Sequence, residues 1–575
     1  MAVARTHSIA LVGVEGHPVT IEADIQNGLP GLLLIGLPDT ALREARDRIR
    51  AAVVNSREQW PQRRITVGLS PASLPKRGSG FDLAIAIAVL AAAGTIPAPG
   101  VEGVMFLAEL GLDGHLRPVR GVLPAVAAAA AAGFSRVVVA PANAPEAGLV
   151  PGLQVVSAPA LLALLEWLRD GDGSGARKNG ESAGQVRISE GGGPLPKAEA
   201  PARDEWEPGT AAAEGGRPSG ATQVRTAPLD AGYPAQLGVS GALEPASAMQ
   251  RHPAGAPLDL ADVLGQPAAR RAAEICAAGG HHLSLLGPPG VGKTMLAERI
   301  PAILPSLDTA AALEATAIHS VAGTLPAGGP LITRPPFCAP HHTATKAAIV
   351  GGGSGVICPG AASLAHHGCL FLDEAPEFGR DVLDALRQPL ESGEVVVARM
   401  GVTARFPARF TLILAANPCP CARARGPRAA CTCTPTARRR YLARLSGPLL
   451  DRVDVKVEFL PVSRAELLSD RRFTEPSAVV AQRVAAARER AAARLRDTPW
   501  RLNAEIPGSQ LRRRFPPLAG ALAPLERAMD LGQLSARGVD RVIRVAWTLA
   551  DLAGAARPGT GEIGCALGLW LGVAR

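Results

Sequence analysis

The sequence predicts an α/β protein with several folded parts, on three observations. Strand-like and helix-like runs alternate through the first 170 residues. A buried-strand run, a glycine-rich loop and a helix follow one another in mid-chain, at 282–300. From 466 onward the chain reads as helix after helix.

With 575 residues there is room for about three or four domains, and 47% hydrophobic residues can fill several cores. The net charge of +9 permits a polyanionic partner without requiring one. No stretch approaches the roughly 18 uninterrupted apolar residues of a membrane span. The longest candidate, 83–93, stops at Gly94. The N-terminus lacks the apolar region and cleavage site of a signal peptide, so a cytoplasmic protein is expected, without a membrane. In that compartment the nine cysteines suit metal ligands or core packing better than disulfides.

Residues 1–170 form the first expected domain. Strand-like runs lie at 8–12, 19–23, 32–35, 64–69, 104–108 and 136–140, with helical patterns at 39–55, 81–93 and 123–132. The segment Pro75-Lys76-Arg77-Gly78-Ser79-Gly80-Phe81-Asp82-Leu83 resembles the nucleophile segment of the Lon-protease fold. Glu109 to Gly114, continuing through Arg120-Gly121-Val122-Leu123, resembles the segment that carries that family's lysine. On this alignment the serine falls on Gly80 and the lysine on Leu123. Ser79 is one register off and has no lysine beside it, and a serine needs a base to be activated. A non-proteolytic domain with a structural or DNA-binding role is expected. Residues 171–256 turn rich in Gly, Pro, Ser and charge without periodicity, which predicts a flexible linker.

Residues 257–465 carry the chemistry. Gly287-Pro288-Pro289-Gly290-Val291-Gly292-Lys293-Thr294 fits the phosphate-loop pattern G-x-x-x-x-G-K-[ST]. Its glycines let backbone N–H groups face a phosphate at a helix N-terminus. Lys293 would reach the β- and γ-phosphates of ATP, and the Thr294 hydroxyl would ligate Mg²⁺. The apolar run Cys369-Leu370-Phe371-Leu372 then delivers Asp373 and Glu374 to the sheet edge where nucleotide binds. Asp373 would hold Mg²⁺ through water, and Glu374 would polarise the attacking water. A third apolar run, 410–416, ends in Asn417, placed to sense the γ-phosphate or that water. Gly447-Pro448-Leu449-Leu450-Asp451-Arg452-Val453-Asp454 fits the arginine-finger segment of ring ATPases. Arg452 would reach a neighbouring subunit's γ-phosphate; the competing reading pairs it with Asp451 or Asp454.

Several phrases connect these motifs: Pro340-His341-His342-Thr343, Gly351-Gly352-Gly353-Ser354, Ser363-Leu364-Ala365-His366, Leu386-Arg387-Gln388-Pro389-Leu390-Glu391 and Ala416-Asn417-Pro418-Cys419-Pro420-Cys421. Together they resemble the magnesium-chelatase-like AAA+ ATPases of the YifB/ComM type, over the N-terminal region and 258–555. The resemblance implies a hexameric ring ATPase, with DNA branch migration during natural transformation in the ComM case. It also implies that residues 466–575 are a helical lid over the nucleotide. Arg537 would then be the second sensor, with Arg541 as its competitor. One phrase departs: Ala361-Ala362 stands where an acidic residue is expected after Pro359-Gly360.

Two features of this module suit DNA. Residues 341–367 resemble the loop such proteins insert near the ring pore. Residues 395–406 read as a hairpin turning near Gly401, with Arg399 and Arg405 at its tip, offering guanidiniums to a threaded phosphate backbone. The histidines of 341–367 are expected to satisfy loop backbone groups. Within the inserted loop 418–434, Cys419, Cys421, Cys431 and Cys433 make a four-thiolate set suited to tetrahedral Zn²⁺. Around them lie Arg423, Arg425, Arg428, Arg438, Arg439, Arg440 and Arg444, a basic face that could grip phosphates. The alternative is a reduced, metal-free loop with solvated arginines. At the end of the chain, Gly564, Gly568 and Gly572 weaken the helix expected there and leave the conformation of the last dozen residues open.

The combined expectation is a Mg²⁺-ATP-driven ring motor acting on DNA. A chelatase-like or chaperone-like ATPase with a protein partner is the alternative. A protease is disfavoured by Gly80 and Leu123.

Overall fold

The computed structural model describes residues 3–36, 39–76, 78–170, 186–191, 258–325, 329, 331–353, 357–399, 402–421, 431–470 and 474–573. The N-terminal part is a mixed eight-stranded sheet. Its spatial order is Arg187–Glu190, Gln154–Ser157, Arg136–Val139, Val104–Leu107, Val3–Val12, Glu15–Gln26, Arg64–Ser70 and Gly31–Ile35. Val3–Val12 and Glu15–Gln26 form a long antiparallel hairpin, while Val104–Leu107, Arg136–Val139 and Gln154–Ser157 run parallel. The helix Asp82–Ala92 buries every residue except Ala91, which is why it reads as apolar on all sides.

The strand Arg187–Glu190 lies inside the segment expected to be linker. It adds antiparallel to Gln154–Ser157, and Val186 and Ile188 pack against the core. Two apolar residues in alternation are too short a signal to stand out from glycine-rich surroundings. The rest of that segment, 171–185 and 192–256, lies outside the described residues.

Five parallel strands make the second sheet, in the order Phe337–Cys338, Cys369–Leu372, Thr411–Ala416, Leu283–Leu286 and Val455–Glu458. Both faces are covered, as parallel strands require. Phe371, Ile413 and Leu285 face one core, and Leu370, Leu372, Leu412 and Leu414 face the other. The first of these cores continues into the C-terminal helices through Val484, Trp547 and Trp570. The helices Ser477–Leu495, Ala536–Ala553 and Thr560–Leu571 therefore share an apolar core with the five-stranded sheet.

Thr560–Leu571 is a helix, which settles the segment that the glycines left open. Ile563, Ala566, Leu569 and Trp570 are buried, whereas a Cβ at Gly561, Gly564 or Gly568 would meet nothing. Apolar burial on one face thus offsets the roughly 1 kcal/mol that each glycine costs relative to alanine. Gly572, at φ 73°, closes the helix in the left-handed conformation.

The two sheets' domains touch. Gly121 N–H donates to Ser320 O at 3.2 Å, and the Ser320 hydroxyl donates to Glu146. A cavity of 410 Å³ lies between them, lined among others by Ser79, Glu109, Arg120, Val321 and Val402. No helix among the described residues is long and apolar enough to cross a membrane.

Candidate nucleotide site

The loop after Leu283–Leu286 is shaped by its glycines. Gly290 and Gly292 have φ of 77° and 95°, and a Cβ at either would meet nothing within 4 Å. The loop is therefore left-handed at two points and open on one side, a cradle that backbone N–H groups can line. Gly287 is needed for a different reason. A Cβ there would come within 2.6 Å of the Phe459 side chain.

Lys293 opens the helix Lys293–Ile303 and is buried. Its ammonium donates to Gly287 O at 2.7 Å, Pro288 O at 2.9 Å and Asn417 Oδ1 at 3.1 Å. Burial lowers its pKa, and Asp373 and Glu374 oppose that shift. The Thr294 hydroxyl donates to Asp373 Oδ2 at 2.7 Å, while Asp373 Oδ1 accepts from the Glu374 N–H at 2.9 Å. A hydroxyl and a carboxylate held face to face are the oxygen donors Mg²⁺ prefers. Asp373, Glu374 and Asn417 all follow the carboxyl ends of parallel strands, beside the loop.

Glu374 is strained, at φ 49° and ψ 42°, a conformation costing about 1–3 kcal/mol for a residue with a side chain. His342 Nδ1 lies 3.4 Å from Glu374 Oε2. The sequence reading expected the histidines to satisfy backbone groups, and two do. His366 Nδ1 accepts from Arg409 N–H at 2.9 Å, and His341 Nδ1 accepts from Thr343 N–H at 3.4 Å. His342 itself departs from that expectation by facing the carboxylate. Its signal was positional: it follows Phe337–Cys338, the strand beside Cys369–Leu372.

Arg452 occupies a different neighbourhood. It pairs with Glu391 and the Pro448 carbonyl, and with neither Asp451 nor Asp454. Burial and then Arg541, Arg387 and Arg537 lower its pKa. The Nε atoms of Arg452 and Arg387 are buried without a hydrogen-bond partner. Arg541 is committed, donating to Asp454 Oδ1 at 2.8 Å and Arg452 O at 3.0 Å. Burial would raise the Asp454 pKa, but Arg541 and His281 outweigh it and hold the group well below the usual carboxylate range. Arg537 is exposed in the first turn of Ala536–Ala553. Of the two sensor candidates, Arg537 has the less committed guanidinium.

The hairpin exists, pairing Glu394–Arg399 with Val402–Pro407, but its tip carries only one of the two expected arginines. Arg399 pairs with Val402 beside the turn. Arg405 stands opposite Val396, well down the strand, and forms a 2.7 Å ion pair with Glu394. Register explains the difference: Arg399 and Val402 close the turn, which leaves Arg405 three pairs further down the strand, whatever its charge. Arg423, Arg425 and Arg428 lie outside the described residues.

Cys419, Cys421, Cys431 and Cys433 converge, with all four sulfurs within 4.8 Å of one another, so the cluster could hold a metal. Glu314, His366 and His367 also converge. There the His366 Nδ1 already accepts a backbone N–H, which leaves Nε2 as a donor to Glu314 at 3.0 Å and not as a ligand.

In the first domain, Leu123 is buried in the core and Ser79 donates to Glu109. Lys76, the nearest lysine in sequence, is buried and caps the Pro71 and Leu74 carbonyls.

Three family profiles match the chain: "Subunit ChlI of Mg-chelatase" at 21–143, "Magnesium chelatase, subunit ChlI" at 259–467, and the ChlI C-terminal family at 474–569. YifB of Escherichia coli is 39% identical over 554 residues, covering 96% of this chain and 94% of that protein. The competence protein ComM of Haemophilus influenzae is 37% identical over 556 residues, with the same two coverages. The chain belongs to the YifB/ComM-type, magnesium-chelatase-like family. An uncharacterised protein of Mycobacterium tuberculosis is 48% identical over 567 residues, covering 99% of this chain and 98% of that protein. The profile at 259–467 spans Lys293, Asp373, Glu374, Asn417 and Arg452, and the activity that this AAA+-like module suggests is ATP hydrolysis.

Proposed function

We propose that this YifB/ComM-type protein is a ring-forming ATPase that moves DNA, acting in the cytoplasm as a branch-migration helicase when incoming DNA is recombined. One observation carries the reading: Lys293 is surrounded by Asp373, Glu374 and Asn417, while Arg452 stands apart among arginines with unpaired donors. A site with its acid and its cation on separate faces is completed by a second copy of the chain.

Lys293 and the loop N–H groups would grip the phosphates. Thr294 and Asp373 would hold Mg²⁺, which neutralises charge on the transferring phosphoryl group. Glu374 would orient and polarise water, with Asn417 beside it. Arg452 of the adjacent subunit would stabilise the transition-state charge, and Arg537 would be the second sensor. We read the C-terminal helices as the lid and the first domain as Lon-like and non-proteolytic. The cysteine cluster suits Zn²⁺. The name of the Haemophilus relative, competence protein, supports DNA as the partner, as do Arg399 beside the hairpin turn and the net charge of +9.

A second reading, remodelling of a protein partner, is favoured by the pairing of Arg405 with Glu394, which removes one cation from the expected pore contact. ATP hydrolysis by the purified chain, with and without single-stranded and branched DNA, separates the two. Stimulation by DNA supports the motor. Turnover indifferent to every DNA form rejects it in favour of a protein partner.

A further inference from the structure

The chain leaves Asn417 directly into Pro418, Cys419 and Cys421, and returns through Cys431 and Cys433. Thr434 then caps the helix Pro435–Leu442, accepting from Ala437 N–H at 3.2 Å. The sulfurs lie close together: Cys419 is 3.2 Å from Cys421 and 3.3 Å from Cys431, and Cys421 is 3.4 Å from Cys431. Thiolates at about 2.3 Å from a tetrahedral Zn²⁺ stand roughly 3.8 Å apart, so the cluster has the dimensions of one such site. Apolar packing does not explain the convergence, because only Cys419 is buried. None of the cysteines is in a disulfide.

The two ends of this knuckle lead to the nucleotide site. Asn417, at one end, is buried and accepts from Lys293. At the other end, the capped helix buries Tyr441, and Arg444 donates to Pro376 O at 3.1 Å and Glu377 Oε2 at 3.0 Å. Those residues form the turn that follows Glu374. From there the chain runs on to Arg452.

We propose that Cys419, Cys421, Cys431 and Cys433 bind one Zn²⁺, and that the bound ion is a positioning element of the ATPase. It sets Asn417 at one end of the knuckle and, through Arg444, the Glu374 turn at the other. The positioning role rests on the ATPase reading; the metal site does not. Lys293 touches the knuckle only through Asn417 and is also held by Gly287 O and Pro288 O, while Thr294 bonds Asp373, so nucleotide binding outlasts loss of the ion while hydrolysis depends on it.

The test starts from the full-length chain as purified. Elemental analysis should give about one zinc per chain, and cobalt substitution should give sulfur-to-cobalt charge-transfer bands with a tetrahedral spectrum. Stripping the wild-type protein with a chelator, which avoids any folding defect of a variant, should lower kcat roughly tenfold to a hundredfold. Binding of a non-hydrolysable ATP analogue should stay within about threefold. Zinc should restore turnover to the stripped wild type and not to Cys431→Ser/Cys433→Ser. A metal-free native protein with full turnover, or a disulfide among these four cysteines, overturns the site. Stoichiometric zinc whose removal leaves kcat unchanged overturns the positioning role. A chain that never hydrolyses ATP overturns that role together with the ATPase reading, while zinc content and the cobalt spectrum still decide the site.

Discussion

The cavity between the two domains and the phosphate-loop site invite comparison, because each sets a glycine-rich segment beside polar side chains. At the phosphate loop every group finds a chemically matched neighbour: Lys293 meets Asn417, and Thr294 meets Asp373. In the interdomain cavity Ser79 meets, among the described residues, Glu109 alone, and Gly80 has no side chain; nearby, Leu123 belongs to the core and Lys76 is spent on backbone carbonyls. A carboxylate could accept the Ser79 proton, but no described cation stands where the resemblance would put a lysine. A resemblance of segments is therefore no guide to chemistry; the individual side chains decide.

The comparison can be broken most sharply at Lys293. Lys293→Ala should leave neither nucleotide binding nor hydrolysis above background, read by a fluorescent ATP analogue and by phosphate release. A variant that still hydrolyses ATP would remove the phosphate loop from the mechanism. Next in size, Arg452→Ala should cost about 10³-fold in kcat with analogue binding kept. Mixing it with Lys293→Ala protein should recover part of the activity, since each subunit supplies what the other lacks. Absence of any recovery in mixed rings would argue that Arg452 acts within its own chain.

Glu374→Gln should bind ATP and hydrolyse it about 10²-fold more slowly in single-turnover assays. A smaller effect, about threefold to tenfold on kcat, is expected for His342→Ala, because the imidazole touches Glu374 and not the nucleotide cradle. Unchanged kinetics would make that contact incidental. At the bottom of the scale, Ser79→Ala should leave ATP turnover within about twofold, and the wild type should cleave no unstructured peptide. Serine-dependent peptide cleavage would erase the contrast between the two sites.

What could be read from the chain alone was whatever is encoded locally. The phosphate loop, the carboxylates of Asp373 and Glu374, and the apolar strands that carry them depend on contiguous residues with a fixed period. The family followed from the same contiguous phrases. Tertiary packing decided the rest. The register of the hairpin took Arg405 from the tip to Glu394, and sheet order brought His342 to Glu374. Burial of Ile563 and Trp570 made a helix of a glycine-spotted tail, and an existing sheet edge recruited Arg187–Glu190. Each outcome depends on a partner distant in sequence or on a buried face. Local propensity, at about 1 kcal/mol per residue or less, yields to such contacts when they supply more.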